Sequence, residues 1–136
     1  MNKKVILYIL GVGLVLSSIV LFINLKSTDH NILEQTFVIK AVYFENDGYA
    51  EISFQDKSNK TKNVTLEVLG MPESFHKEFT STIFIEKIQL PSAPKYGWPS
   101  IPVILLVEHE ELGKIGIKTE IRPVGESPAM IIFSKL

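Results

Sequence analysis

The sequence predicts an all-β domain carried behind one transmembrane helix, and three observations carry that reading. An apolar run without charge, proline or amide fills Val5 to Ile23, VILYILGVGLVLSSIVLFI. Beyond it, short segments that alternate apolar and polar residues recur between turn signals such as Asn46-Asp47-Gly48. The chain contains no cysteine, so a domain of this composition holds together by packing alone.

A hydrocarbon core about 30 Å thick needs roughly 20 helical residues, and the apolar run supplies one crossing before Asn24 and Lys26. Only a helix lets a lone segment satisfy its backbone in lipid, so Gly11 and Gly13 do not argue against a span. A cleavable secretory signal is the rival, and Lys3 and Lys4 fit both. The run exceeds a signal core of about 7 to 15 residues, and no A-x-A-like triplet follows it, which favours an uncleaved anchor. The positive-inside bias of Lys3 and Lys4 places residues 1–4 in the cytoplasm. Residues 5–24 are then the anchor in contact with membrane lipid, 25–32 a short polar stalk, and 33–136 an extracytoplasmic domain large enough for one core. Gly13 and Ser17 form a small-xxx-small pair, a spacing common to any span.

In the outer domain, Phe37 to Phe44 is β-branched and aromatic, and Tyr49 to Phe54 alternates cleanly after the Asn-Asp-Gly turn, which predicts a hairpin. Asp56 to Lys60 is a polar loop, and Val64, Leu66 and Val68 resume the alternation. Between Pro72 and Phe79 the spacing of Phe75 and Phe79 fits either a single helical turn or a plain loop. Thr80 to Leu90 has strand composition with a shift in alternation near Glu86 and Lys87, as a bulge or a strand moving between sheets produces. Pro91 to Pro102 holds four of the seven prolines and the only tryptophan, so no ladder strand runs through it. Ile101 to Val107 reads as a strand covered on both faces, Ile115 to Ile121 as an amphipathic strand, and Met130 to Phe133 as a closing strand. About seven short strands with turns every 8 to 12 residues is the pattern of an immunoglobulin-like two-sheet β-sandwich, without the Cys-Trp-Cys hallmark.

Net charge is −1, with 14 basic and 15 acidic residues intermixed, which gives no footprint for nucleic acid. The absence of cysteine excludes thiolate catalysis and Fe–S ligation. No G-x-S-x-G elbow and no glycine-rich phosphate loop occurs, so the chain is expected not to be an enzyme and to need no cofactor. The densest group of metal-ligating residue types is Glu108-His109-Glu110-Glu111, where an extended strand projects His109 and Glu111 from one face. A third ligand would have to come from His30, His76 or a distant carboxylate, and Glu108 with Glu111 is the one acid–base pair the sequence offers. Asn59-Lys60-Thr61 and Asn63-Val64-Thr65 are N-glycosylation sequons. Lys95, Tyr96 and Trp98 are the candidate partner contacts, since prolines stiffen their loop and the aromatic rings combine apolar area with a polar handle. The alternative is that Trp98 folds back to plug one end of the sandwich.

These readings predict a non-catalytic, single-pass membrane protein. Its expected role is an accessory subunit of an integral membrane complex. The alternatives are a stand-alone cell-surface or envelope binding protein, and a small metal-binding or enzymatic domain around His109.

Overall fold

The computed structural model describes residues 2–136 and, for 21–28, the backbone alone. The chain divides into residues 1–34 and a compact β domain, residues 35–136.

A single helix, α1, runs from Lys3 to Thr36. Its window Lys3–Val20 is long and apolar enough to cross a membrane. Apolar residues surround the helix instead of forming one stripe, yet these side chains are exposed. In a soluble protein such a helix is buried, so lipid is the solvent that its surface suits. Its two serine hydroxyls in this stretch are satisfied internally, Ser17 donating to the Leu14 carbonyl at 2.9 Å and Ser18 to that of Val15 at 2.8 Å. The segment 25–32, expected as a polar stalk, is part of this helix, and the first strand starts directly at Phe37.

The β domain has nine strands in two sheets: β1 (Phe37–Phe44), β2 (Tyr49–Asp56), β3 (Thr61–Val68), β4 (Phe75–Phe79), β5 (Ile83–Gln89), β6 (Pro102–His109), β7 (Gly113–Glu120), β8 (Arg122–Pro123) and β9 (Ile132–Lys135). One sheet has the order β5-β2-β1-β8, with β8 parallel to β1, and the other the antiparallel order β4-β3-β6-β7-β9. The alternation seen in the sequence sends Ile39, Tyr43, Ile52 and Phe54 inward from the first sheet and Val64, Leu66, Val103, Leu105, Ile115 and Ile117 inward from the second. The two apolar faces share one core, in which the Phe37 ring meets the edge of His109 at 5.6 Å.

The expected seven strands become nine because β4 and β8 form where loops were read. Phe75 and Phe79, four residues apart, lie on one side of a strand as readily as on one side of a helix, and pairing with β3 decides for the strand. β8 is two residues long and includes Pro123, which only an edge tolerates. In β5 the expected bulge is absent, since its pairing with β2 keeps one register from Ile83 to Gln89. The apparent shift arises because Ile83 and Ile85 stay exposed while Glu86, on the inward side, lies at the margin of the sheets and meets Lys77 of β4 at 2.9 Å. The Phe79 and Phe84 rings stack beside them at 3.7 Å. A register shift occurs instead in β3 between Thr61 and Asn63, which lets Thr61 and Val64 both face inward despite their odd separation.

β6 was expected to be covered on both faces. It is buried on one: Val103, Leu105, Val107 and His109 point inward, whereas Leu106 is 39% exposed. The neighbours of Ile104 across the ladder are Glu67 and Lys118, so that outer face is polar apart from the strand's own side chains.

Gly70, with φ 79°, ends the segment after β3 against the proline-rich loop; a Cβ there would lie 1.8 Å from the Ser100 carbonyl oxygen. Gly70→Ala is therefore expected to destabilise the domain by about 3 kcal/mol, from left-handed strain and the backbone clash together. The urea midpoint should fall at unchanged slope. An unaltered midpoint would show that the loop moves aside freely.

Candidate functional site

The candidate residues divide between the two ends of the β domain. At one end, the proline-rich loop folds through a short 3-10 turn, Trp98–Ser100, in which the Ile101 N–H donates to the Trp98 carbonyl at 3.0 Å and the Ser100 hydroxyl to the Gly97 carbonyl at 2.6 Å. Gly97 enters the turn with φ 86°, a conformation glycine adopts without strain. The turn brings the Trp98 ring onto buried Tyr43, with centroids 4.8 Å apart. Trp98 thus closes this end of the core and is half-buried.

Tyr96 behaves differently. It is 81% exposed, and the Lys95 ammonium lies 5.5 Å from its ring centroid. The three residues singled out from the sequence therefore share a loop but not a role: Trp98 fixes the loop, and Lys95 with Tyr96 forms its outward surface. A loop held in this way has little conformational freedom left to lose on binding.

The opposite end carries His109 and Glu111, and the structure does not bring their side chains together. β6 stops at His109, and Glu110 to Leu112 turn before Gly113, whose φ is 77°. Glu111 is consequently on a turn, where its carboxylate is exposed and pairs with Lys60. The bond and charge of Glu111 hold the Lys60 ammonium above its usual pKa, and the same pair lowers that of Glu111. His109 is buried. Its Nδ1 accepts the backbone N–H groups of Glu111 at 3.2 Å and Leu112 at 3.1 Å, which leaves the ring proton on Nε2. From there it donates to the Ser58 hydroxyl at 2.9 Å, and Ser58 donates to Asp56 Oδ1 at 2.6 Å. Glu108 is exposed, with Lys114 at 3.5 Å. His30 pairs with Glu34 within α1 at 3.1 Å and His76 with Glu67 at 3.2 Å. Among the described residues no group of three or more His, Cys, Asp or Glu side chains is placed to hold a metal ion.

The residue that organises this end is Asp56, which sequence reasoning assigned to a polar loop. It is 1% exposed. Its Oδ2 accepts from the Lys60 N–H at 2.9 Å, the Thr61 N–H at 2.8 Å and the Thr61 hydroxyl at 2.8 Å, while Oδ1 accepts from both the N–H and the hydroxyl of Ser58. Burial alone would raise its pKa, but these donors outweigh it and hold the carboxyl at about 2. The signal available in the sequence is the spacing Asp-x-Ser-x-x-Thr, in which one carboxylate caps the turn that follows it.

Serine, histidine and aspartate thus meet, but the hydrogen bonds run opposite to those of a catalytic triad. Every proton points toward the carboxylate, and the imidazole has no vacant acceptor for the serine proton. The same engagement of both ring nitrogens leaves His109 no lone pair to offer an ion.

The two sequons lie beside this cluster. Asn59 is exposed with φ 56°, and its side-chain oxygen accepts from the Thr82 hydroxyl at 3.2 Å, a bond that does not use the nitrogen to which a glycan attaches. Asn63 is half-buried at the register shift of β3.

Since the folded pKa of Asp56 lies below its ordinary 3.8, its contribution, about 2 kcal/mol, is present above roughly pH 4 and lost as pH falls from about 4 to about 2. Asp56→Asn is expected to lower the Tm at neutral pH and to flatten the acid limb of the Tm–pH curve. An acid limb of unchanged steepness would assign that dependence to other carboxylates.

Compared with known proteins, the chain matches no family, no curated protein and no solved structure.

Proposed function

We propose that this chain is a non-catalytic, single-pass membrane protein whose β domain lies outside the membrane and serves as an accessory subunit of an integral membrane complex. The observation that carries the reading is the exposed, all-round apolar surface of α1, which water does not suit. Lys3 and Lys4 ahead of the apolar run favour a cytoplasmic N-terminus. An accessory role accords with the absence of any loop between α1 and β1, since a surface adhesin benefits from a long, flexible reach. The direction of the Ser58–His109 hydrogen bond supports a structural rather than a chemical use of that cluster.

The domain is an immunoglobulin-like sandwich in this reading. Its support is the strand order: β1-β2-β5 in one sheet and β4-β3-β6-β7 in the other follow a Greek-key path, with β8 and β9 as additions at the margins. Lys95 and Tyr96 supply the partner contact, and the mixed charge of the chain, −1 overall, suits a protein partner better than nucleic acid. Asn59 is the better placed of the two candidate glycan acceptors, and an intact mass equal to the bare polypeptide in a host that glycosylates would remove that assignment.

Extraction of native membranes in mild detergent, followed by native gel separation and mass spectrometry, should show the chain migrating with other integral subunits. Migration alone, in conditions that preserve other membrane complexes, overturns the accessory reading in favour of a stand-alone surface protein. The loop residues separate in the same assay. Tyr96→Ala is expected to leave stability within about 0.5 kcal/mol and to weaken co-migration, whereas Trp98→Ala should cost about 2 kcal/mol by uncovering Tyr43.

A further inference from the structure

The first sheet is left open along part of β1. β8 pairs with β1 only at Val42↔Arg122 and Tyr43↔Pro123, and among the described residues no strand lies on this side of Phe37–Ala41. The ladder shows which backbone groups this leaves facing outward. The Tyr43 carbonyl accepts the Val124 N–H at 3.1 Å, so the backbone of Tyr43 points to this edge. Backbone direction repeats every second residue in a strand, so the N–H and C=O of Ile39 and the N–H of Ala41 point there too.

A groove of about 340 Å³ follows the same edge. Side chains from both sides of β1 line it, Ile39 and Ala41 from the core side and Lys40 and Val42 from the outer side, with Pro128 and Ile131 on the opposite wall. It therefore wraps the strand edge instead of lying on a sheet face. Glu120 and Arg122 at its margin are paired with each other at 3.1 Å through the Arg122 Nη2, while the buried Arg122 Nε has no hydrogen-bond partner. Lys40 and Glu126 add charge to the lining, so apolar contact and backbone bonding act beside these few polar groups in selecting what enters. The far margin of the domain is guarded, since Lys77 and Glu86 occupy inward positions on β4 and β5.

We infer that this groove is a strand-addition site that takes an extended segment of another protein, with apolar side chains at alternate positions. An acyl chain or small apolar molecule fills such a groove but leaves the Ile39 N–H and C=O unpaired. An extended peptide satisfies these groups and the apolar walls together, because its own backbone polarity and side-chain direction share the period of two. The site is separate from the Tyr96 loop and requires no particular orientation of the anchor.

The test is selection of a phage-displayed library of random nine-residue peptides on the full-length protein in detergent micelles, with the Ala41→Pro variant in parallel. Proline removes the Ala41 N–H, which an edge strand tolerates when that N–H leaves the sheet. Enriched peptides should alternate apolar and polar residues and bind the variant at least about tenfold more weakly, the loss expected from one or two hydrogen bonds and a blocked edge. A selection that enriches no peptide above a surface without protein overturns the proposal, as do peptides that bind both proteins alike. Circular dichroism checks that Ala41→Pro is folded. If it is not, N-methylated forms of the best peptide decide on the unaltered protein: methylating one alternate set of amides should weaken binding about tenfold and the other set little. Equal effects of the two sets overturn strand addition.

Discussion

The chain passes from the first sheet to the second in the four residues between Asp56 and Thr61, and that passage depends on one carboxylate. Asp56 ends β2, and the donors it gathers belong to the connection and to the first residue of β3. Through Ser58 it also reaches His109 at the end of β6, 51 positions after that serine, and its own Oδ2 lies 3.4 Å from His109 Nε2. A buried carboxylate without donors would be among the most destabilising features a core can contain. Five hydrogen bonds turn it into the joint between the layers, and they do so with no cysteine available to hold the two sheets together.

That arrangement also shows why the meeting of serine, histidine and aspartate is a poor guide to function here. What matters is the direction of each hydrogen bond. The backbone of the β6–β7 turn claims Nδ1 of His109, which settles the tautomer, and the tautomer makes the imidazole a donor to Ser58. The aromatic end of the domain uses a comparable economy of parts. Trp98 belongs to the core through Tyr43, and by occupying that position it holds Tyr96 in the open.

The helix and most of the β architecture were legible in the sequence because apolar periodicity reports burial directly, as in β2, β3 and β7. Legibility failed where local pattern and tertiary position disagree. β4 carries two phenylalanines at a spacing both periodicities allow. Glu86 interrupts the alternation of β5 only because its partner, Lys77, comes from the other sheet, a pairing that no local window contains. The apolar run of β6 suggested two covered faces, whereas the sheet covers one. Of the candidate site residues, Lys95, Tyr96 and Trp98 stand out by composition, but their division into buried and exposed depends on Tyr43, more than fifty residues away. Asp56 resembled any loop aspartate until the strand ends closed around it.

The contrast between the sheet margins bears on assembly. Where charged residues occupy inward positions, as Lys77 and Glu86 do, a second copy cannot continue the ladder without desolvating them. Growth of a fibre requires two adhesive edges per molecule, one to receive and one to offer. A domain that receives a strand beside Phe37–Ala41 and carries inward charges along its β4 and β5 margin does not extend such a series through that margin. Its open edge is thus compatible with a crowded membrane surface, where the same edge on both sides would invite polymerisation.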